Sequence, residues 1–282
     1  MIKKMLSFKN IVIIKKIVLL ILSAFVWNVN GICAPSAESF SVSPEMKVIF
    51  SKGNVQYHPK KNLWRFAPNQ YDVIGEKNAK VSPSYNGWID LFGWGTGNQP
   101  CLTADSYTDY SNFVDWGTNF AEEGANWRTL TQKEWEYLLY KRENASKLLG
   151  IGNVAGILGF LILPDGVNAS DIEIDFISLA DQGIEKKGRS YSSINELVLN
   201  KYEKKQWDML ERLGVVFLPF AGQRNTKTIL KNGEVGYYWS SEEDFSTPFR
   251  SYNLSLSKIS LNLIQPISKQ IGCAVRLVNT IK

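Results

Sequence analysis

Side chains that could perform acid–base or nucleophilic chemistry are few in this chain. It contains a single histidine, His58, in the segment Tyr57-His58-Pro59-Lys60-Lys61. A Ser-His-Asp hydrolase would need that histidine as its base, but no nucleophile motif lies near it. One histidine and no Cys-x-x-Cys pair also leave the usual zinc ligands missing from the sequence. We therefore interpret His58 as a turn residue and assign no catalytic residue.

Acidic residues occur in short groups, where a glycosidase or a calcium site would be sought. The groups are Glu122 with Glu123, Glu134 with Glu136, and Glu242, Glu243 and Asp244. Helix capping explains Glu134, and acidic runs in loops are usually solvated. The last group supplies oxygen ligands of the kind that calcium prefers, so its members are weak calcium candidates. No other cofactor is expected.

Three cysteines, Cys33, Cys101 and Cys273, are present. In an exported protein Cys101 and Cys273 are candidates for a disulfide once Cys33, in the N-terminal tail, is set aside. Unpaired thiols fit the sequence equally well, because spacing alone does not determine pairing.

An aromatic-rich loop region is the best candidate for a binding surface. Residues 68–126 are rich in Gly, Asn, Asp, Ser and Tyr without a sustained period, and such loops often carry ligand contacts. Aromatic faces can stack on sugars or be buried by a protein, with Asn86 and Asn98 among the nearby hydrogen-bonding groups. Packing within the loops is the alternative, favoured for Trp88 and Trp94. The candidate ligand-binding residues are Tyr85, Trp88, Asp90, Trp94, Tyr107, Tyr110, Asp115 and Trp116.

The N-terminus has the pattern of an export signal. Five lysines precede an apolar run, Ile17 to Trp27, which is too short to span a bilayer. We expect cleavage after Gly31, which gives a signal peptide 1–31, a tail 32–39 and a single domain 40–282. Lipidation of Cys33 is less favoured, because Ile32 stands where lipidation sites carry a small residue. The protein is thus expected to be secreted, periplasmic or attached to the cell surface, without a stable membrane span.

Removal of the signal changes the charge of the protein. The whole chain has 32 basic and 27 acidic residues, and the exported part is balanced at 27 of each. A basic surface with interleaved aromatic residues is therefore absent, and nucleic-acid binding is not expected.

Local patterns predict short strands and two helices. Strands are expected near 40–43, 47–50, 54–57 and 63–66, in a pair over 151–163, and at 215–220, 235–240, 251–257, 260–264 and 273–278. Thr131 and Glu134 form a capping box for a helix ending near Ala145. A second helix is predicted over 202–213, with Gly214 as its left-handed cap.

Several segments resemble a known family. They are the Trp127-Arg128-Thr129-Leu130-Thr131 segment leading into Glu134-Trp135-Glu136-Tyr137, then Tyr238-Trp239-Ser240-Ser241, Gly272-Cys273-Ala274-Val275-Arg276-Leu277-Val278 and the stretch 85–95. In this order they resemble formylglycine-generating-enzyme-like domains, and most closely the Fibrobacter major paralogous domain family. The resemblance implies an α+β, C-type-lectin-like fold, with two helices against short, mostly antiparallel strands and long ordered loops. It also implies that the first and last strands pair.

The resemblance does not carry over an enzymatic site. Formylglycine-generating enzymes use paired active-site cysteines, and Cys101 and Cys273 do not stand in a matching motif. We therefore expect an exported, non-enzymatic binding protein whose loops bind a glycan or a surface protein. The alternatives are a structural module of a cell-surface assembly and, less favoured, a related oxidase or a carboxylate-based hydrolase. Arg276, inside an apolar segment, is expected to be structural, with Glu134 or Glu136 as its partner.

Overall fold

The structure is a computed structural model that describes residues 39–120, 126–167, 174–183, 198–258 and 261–281, and only the backbone of 261–265. The chain divides into two units, Met1–Ser36 and Ala37–Lys282, and every described residue belongs to the second. The predicted signal 1–31, Cys33 and the pair Glu122 and Glu123 lie outside the described residues. Within those residues, no helix has both the length and the apolar character needed to cross a membrane.

Short strands outnumber helices, so the described chain is an α+β protein. The strands are β1 (Phe40–Ser41), β2 (Lys47–Phe50), β3 (Val55–His58), β4 (Leu63–Phe66), β5 (Trp127–Thr129), β6 (Leu149–Val154), β7 (Ile157–Ile162), β8 (Asn200–Tyr202), β9 (Val216–Pro219), β10 (Gln223–Asn225), β11 (Thr228–Leu230), β12 (Val235–Glu243), β13 (Arg250–Ser257), β14 (Leu261–Ser268) and β15 (Leu277–Ile281).

Two four-stranded sheets contain many of these strands. Their orders are β1-β2-β15-β5 and β8-β6-β7-β9, and β12, β13 and β14 form a third sheet. The remaining strands form the hairpins β3–β4 and β10–β11. The pairings are antiparallel except for β6 with β8. The last strand pairs with β2 and not with β1, which lies beyond β2 in the same sheet.

The strand predictions succeed where turn residues fix the ends. Between β6 and β7, Ala155 and Gly156 have positive φ angles of 49° and 87° and make the tight turn of a hairpin. The last strand begins at Leu277 and not, as predicted, at Cys273. The reason is that residues 272–274 form isolated bridges to three different segments of the chain. The hairpin β10–β11 was not predicted.

The first predicted helix starts as expected but ends early. Helix α1 covers Gln132–Glu136 and continues as a π-helical turn over Tyr137–Lys141. Its N-terminus has the predicted capping box, because Thr131 accepts from the Glu134 N–H and the Glu134 carboxylate accepts from the Thr131 N–H. The helix stops before Arg142, whose backbone is extended. The buried guanidinium of Arg142 donates to the carbonyl oxygen of Leu163 at 2.8 Å.

The second predicted helix is confirmed with a smaller buried face. Helix α2 covers Lys204–Arg212, and Trp207 and Leu210 are buried. Gly214 follows with a φ of 80°, as a left-handed cap requires. Leu213, predicted on the buried face, is 39 % exposed.

Arg276 lies fully buried and joins distant parts of the chain. Its guanidinium donates to the carbonyl oxygens of Ser51 and Phe217, at 3.0 and 2.6 Å, and to Oδ1 of Asn54 at 3.1 Å. Burial lowers the pKa of Arg276 to about 10, so the side chain remains a cation at neutral pH. Neutral oxygen atoms therefore solvate this charge inside the protein.

The expected carboxylate partners of Arg276 are wrong. Glu134 pairs with Arg128 at 2.6 Å, and Glu136 pairs with Lys141 at 3.3 Å. Arg128 makes two short contacts with the Glu134 carboxylate, of 2.6 and 2.7 Å. This bidentate pair holds the start of α1 against β5.

We predict that Arg276→Met lowers the free energy of unfolding by about 3 kcal/mol or more, because it leaves several buried oxygen acceptors without a donor. Denaturant unfolding measures the change. Arg212→Met, at an exposed position in α2, is the control and should change stability by less than about 0.5 kcal/mol. Equal effects of the two substitutions would contradict a structural role for Arg276.

Glu134 should make stability depend on pH. Burial acts to raise the pKa of Glu134, but hydrogen bonds from Arg128 and Thr131 outweigh it and hold the pKa below its ordinary value of 4.5. The stabilisation is therefore complete above that value and is lost as the pH falls toward the folded-state pKa. We predict that Glu134→Gln costs about 2 kcal/mol at pH 7 and progressively less below pH ~4.5.

The control for this measurement is Glu136→Gln. The ion pair of Glu136 with Lys141 is more exposed, so this change should cost less than about 0.5 kcal/mol across the range. A constant difference between wild type and Glu134→Gln from pH 7 to pH 3 would show that the charge of Glu134 is not what stabilises the fold.

Candidate functional site

The loop region between residues 94 and 112 forms an open pocket with a cavity volume of about 80 Å³. This is well below the ~300–1,000 Å³ typical of small-molecule sites, so the pocket can take only a part of a ligand. Apolar walls, side-chain amides and one carboxylate line the pocket: Trp94, Gly95, Thr96, Asn98, Gln99, Leu102, Asp109, Tyr110 and Asn112. The pocket thus combines rigid walls with groups that can both donate and accept hydrogen bonds.

The two ends of the pocket loop are held together by the backbone. Val114 donates to the carbonyl oxygen of Gly95 and accepts from the N–H of Gly97, both at 3.0 Å. Gly95 has a φ of 67°, and a Cβ at Gly97 would lie 2.6 Å from two backbone oxygens. Glycine is therefore required at both positions. The loop 98–111 extends from this fixed base.

Trp94 forms one wall of the pocket. Its backbone N–H donates to the carbonyl oxygen of Lys269 at 2.8 Å, and its indole N–H donates to that of Ser240 at 3.0 Å. The Lys269 ammonium lies 4.6 Å from the centre of the indole ring. Because Trp94 is only 3 % exposed, it shapes the pocket but does not offer a free ring face.

Tyr110 forms a second wall. Its ring is 1 % exposed and packs directly on Gly93, and its hydroxyl donates to the carbonyl oxygen of Ala104 at 3.2 Å. Burial raises the pKa of Tyr110 to about 12, although the charge of Arg224 opposes the rise. The phenol therefore stays protonated near neutral pH. It acts as a fixed structural donor.

The polar groups of the pocket stand on the loop between these walls. Asn98, Gln99, Asp109 and Asn112 are exposed side chains that line it. Only Asn98 was noted from the sequence as a possible hydrogen-bonding group. Gln99, Asp109 and Asn112 could have been identified from the sequence by their position between Gly97 and Phe113, in the loop that extends from the fixed backbone base.

Three other predicted binding residues have structural roles. Trp116 is completely buried. Asp115 accepts hydrogen bonds from the N–H groups of Gly117 and Thr129, at 2.8 and 2.9 Å. The carboxyl of Asp90 is also buried, with its pKa raised to about 6 by burial against hydrogen bonds from Asn78 and Ile74. Trp116 and Asp90 are therefore out of reach of a ligand in this structure, and Asp115 is partly exposed.

Tyr85 and Trp88 lie against the β3–β4 hairpin and do not line the pocket. Trp88 is partly buried, with the Arg65 guanidinium 3.7 Å from the ring centre and the His58 ring at 5.2 Å. His58 caps the turn after β3 by accepting from the Lys61 N–H at 3.3 Å. It is therefore a turn residue, as predicted, but a buried one. The structure therefore agrees with the interpretation from the sequence that Trp88 packs within the protein.

The weak calcium candidates each have another partner. Glu242 accepts from the Gln132 N–H at 3.0 Å at the start of α1, and Glu243 pairs with Lys269 at 2.6 Å. Asp244 accepts from the backbone and hydroxyl of Ser246. Among the described residues, no group of three or more His, Cys, Asp and Glu side chains is placed to hold a metal ion.

Cys101 and Cys273 are free thiols in the structure, so the candidate disulfide is not formed. Burial raises the pKa of Cys101 to about 11 and that of Cys273 well above its usual range, although the charge of Arg224 opposes both shifts. Both thiols are therefore protonated near neutral pH. Protonated thiols are poor nucleophiles and poor metal ligands.

Comparison with known proteins finds no matching family model, no matching curated protein and no matching solved structure. The interpretation of the site therefore depends on its geometry and chemistry.

We predict that Gly93→Ala disturbs the pocket through Tyr110. A Cβ at position 93 would lie 2.3 Å from Cε1 of the Tyr110 ring, so the ring must move. The substitution should lower the free energy of unfolding by about 1–3 kcal/mol, measured by denaturant unfolding. In a cycle with Tyr110→Leu, which removes the atoms that clash, the two effects should not add. Strict additivity would show that Gly93 and Tyr110 are not coupled.

Proposed function

We propose that the protein is an exported, non-enzymatic carbohydrate-binding protein, in which the loop pocket binds the hydroxyl-bearing edge of a sugar unit. The observation that carries this proposal is the pocket lining, in which three exposed amide side chains, Asn98, Gln99 and Asn112, and the carboxylate of Asp109 stand between fixed aromatic walls. Sugar hydroxyls donate and accept hydrogen bonds, and amides can satisfy both functions at once.

The composition of the pocket favours binding over hydrolysis. Glycosidases generally use two carboxyl groups on either side of the scissile bond. The lining contains one, Asp109. The acidic pairs that could suggest a hydrolase serve other roles where the structure describes them, since Glu134 caps α1 and Glu243 pairs with Lys269.

For the fold, we propose a C-type-lectin-like domain related to the formylglycine-generating-enzyme-like proteins and to the Fibrobacter major paralogous domain family. Support comes from the first sheet, where the terminal strand β15 pairs with β2 near the other end of the described chain. The family-like residues Trp135, Trp239 and Arg276 are all buried, as core positions of such a domain would be. Export is proposed from the lysine-rich, apolar segment 1–31.

The test is a glycan array of neutral and acidic mono- to hexasaccharides, followed by calorimetric titration of the saccharides that bind. Asn112→Ala should weaken binding about fivefold to tenfold, which corresponds to one lost hydrogen bond of about 1 kcal/mol. Asn225→Ala, at an exposed asparagine of β10 outside the pocket, is the matched control and should bind normally. Absence of saturable binding, or equal affinities of the two variants, would overturn the proposal.

The same titrations should be repeated with a chelator. We expect no change in affinity, because Glu242, Glu243 and Asp244 are bound to other groups of the protein. Loss of binding in chelator would contradict the calcium-independent site proposed here and would direct the search to ligands outside the pocket lining.

A further inference from the structure

Two exposed aromatic side chains, Tyr107 and Phe249, lie beside the pocket, and Phe245 is exposed in the same loop as Phe249. Tyr107 is 45 %, Phe249 41 % and Phe245 87 % exposed. The rings of Tyr107 and Phe249 lie 6.0 Å apart between centroids and are tilted by 60°. The two phenylalanines were not predicted as site residues, because they follow the acidic group 242–244 in a different part of the sequence.

Two sets of structural connections link the Tyr107–Phe249 pair to the walls of the pocket. Tyr107 begins the 3₁₀ helix Tyr107–Tyr110, whose last residue is a wall of the pocket. From the other side, the Phe249 carbonyl oxygen accepts from the N–H of Lys269 at 3.1 Å, and the Lys269 carbonyl oxygen accepts from the N–H of Trp94, the other wall. Short structural connections therefore fix the exposed pair next to the pocket.

The loop that carries the phenylalanines is firmly built. It connects β12 to β13, and its ends pair through the Asp244 N–H and the Arg250 carbonyl oxygen at 3.1 Å. Within the loop, Thr247 donates to the carbonyl oxygen of Asp244 at 2.9 Å, and the Asp244 carboxylate accepts from the Ser246 N–H at 3.0 Å. Phe245 and Phe249 thus both belong to a closed loop. Large apolar side chains held out in this way commonly mark a binding surface.

The geometry points to a second subsite, in which the Tyr107–Phe249 pair stacks on the next unit of an oligosaccharide whose terminal unit places its polar edge in the pocket. This inference rests on the proposed function. A pyranose ring has an apolar C–H face, which suits an aromatic surface, and a polar edge, which suits the amides of the pocket. The exposed rings would contact the apolar face, and the adjacent pocket lining would bind the polar edge.

An oligosaccharide fits this surface better than an apolar peptide segment does. The pocket that ends the surface is lined by Asn98, Gln99, Asp109 and Asn112, which would lose water without gaining partners beside an apolar side chain. A sugar unit replaces those hydrogen bonds with its own hydroxyls. The Arg250 guanidinium, 5.3 Å from the Phe249 ring, bounds the aromatic surface with a further donor.

The test is calorimetric titration of the whole protein with chain-length series of one to six units, for each saccharide class on the array. Affinity should rise from one unit to two or three and then level off. Tyr107→Ala and Phe249→Ala should each weaken the binding of oligosaccharides about tenfold while leaving the binding of monosaccharides unchanged. Since both side chains are exposed, thermal unfolding should show that the two variants remain folded.

Leu230→Ala is the matched control, because Leu230 is 40 % exposed on the β10–β11 hairpin outside the pocket lining. Equal affinity for one unit and for longer chains, or unchanged binding of long chains by the Tyr107 and Phe249 variants, would overturn the second subsite and leave the pocket as a monosaccharide site. Oligosaccharide binding that is lost in Phe249→Ala but unaffected in Asn112→Ala would overturn the proposed pocket instead. Failure of every saccharide to bind overturns both, and recognition of a protein would then account for the exposed rings.

Discussion

Arg276 is a buried cation whose hydrogen-bond partners, among the described residues, are uncharged oxygen atoms from distant parts of the chain. Arg276 donates to Ser51 and Asn54 from the start of the described chain and to Phe217 from β9. Gln70 completes the network, since its amide accepts from the Phe217 N–H at 2.8 Å and donates to the carbonyl oxygen of Val215 at 3.0 Å. A buried guanidinium costs much free energy unless oxygen atoms accept from its N–H groups, so the network favours the assembly of these segments together.

The position of the pocket follows from the same constraint. The residues just before Arg276 run between other segments, and Cys273 exchanges two backbone hydrogen bonds of 2.9 Å with Phe92. The indole N–H of Trp239 also donates to the Phe92 carbonyl oxygen, at 2.7 Å. Phe92 lies two residues before Trp94, the first wall of the pocket. The loop is long, but its starting point is therefore set by the core.

Sequence patterns predicted those structural features that depend on interactions between residues close together in the chain. The capping box at Thr131, the strand pair over 151–163 and the left-handed Gly214 were readable, because each depends on neighbours along the chain. The turn at Ala155 and Gly156, the partners of Arg276 and the early end of α1 were not predicted. The guanidinium groups of Arg276 and Arg142 bind oxygen atoms of residues far away in the sequence, which local patterns do not reveal.

The loop aromatics show the same limit at the site. Tyr107 and Tyr110 begin and end a single 3₁₀ turn, and their sequence surroundings are alike, yet one is 45 % exposed and the other 1 %. The difference arises from Gly93, whose missing side chain admits the ring of Tyr110, and from Phe249, which meets Tyr107 at the surface. Because buried rings fix the walls and exposed rings adjoin them, a ligand would meet a surface that is already ordered. Little conformational entropy would be lost on binding, so even a few hydrogen bonds and one stacking contact could give useful affinity.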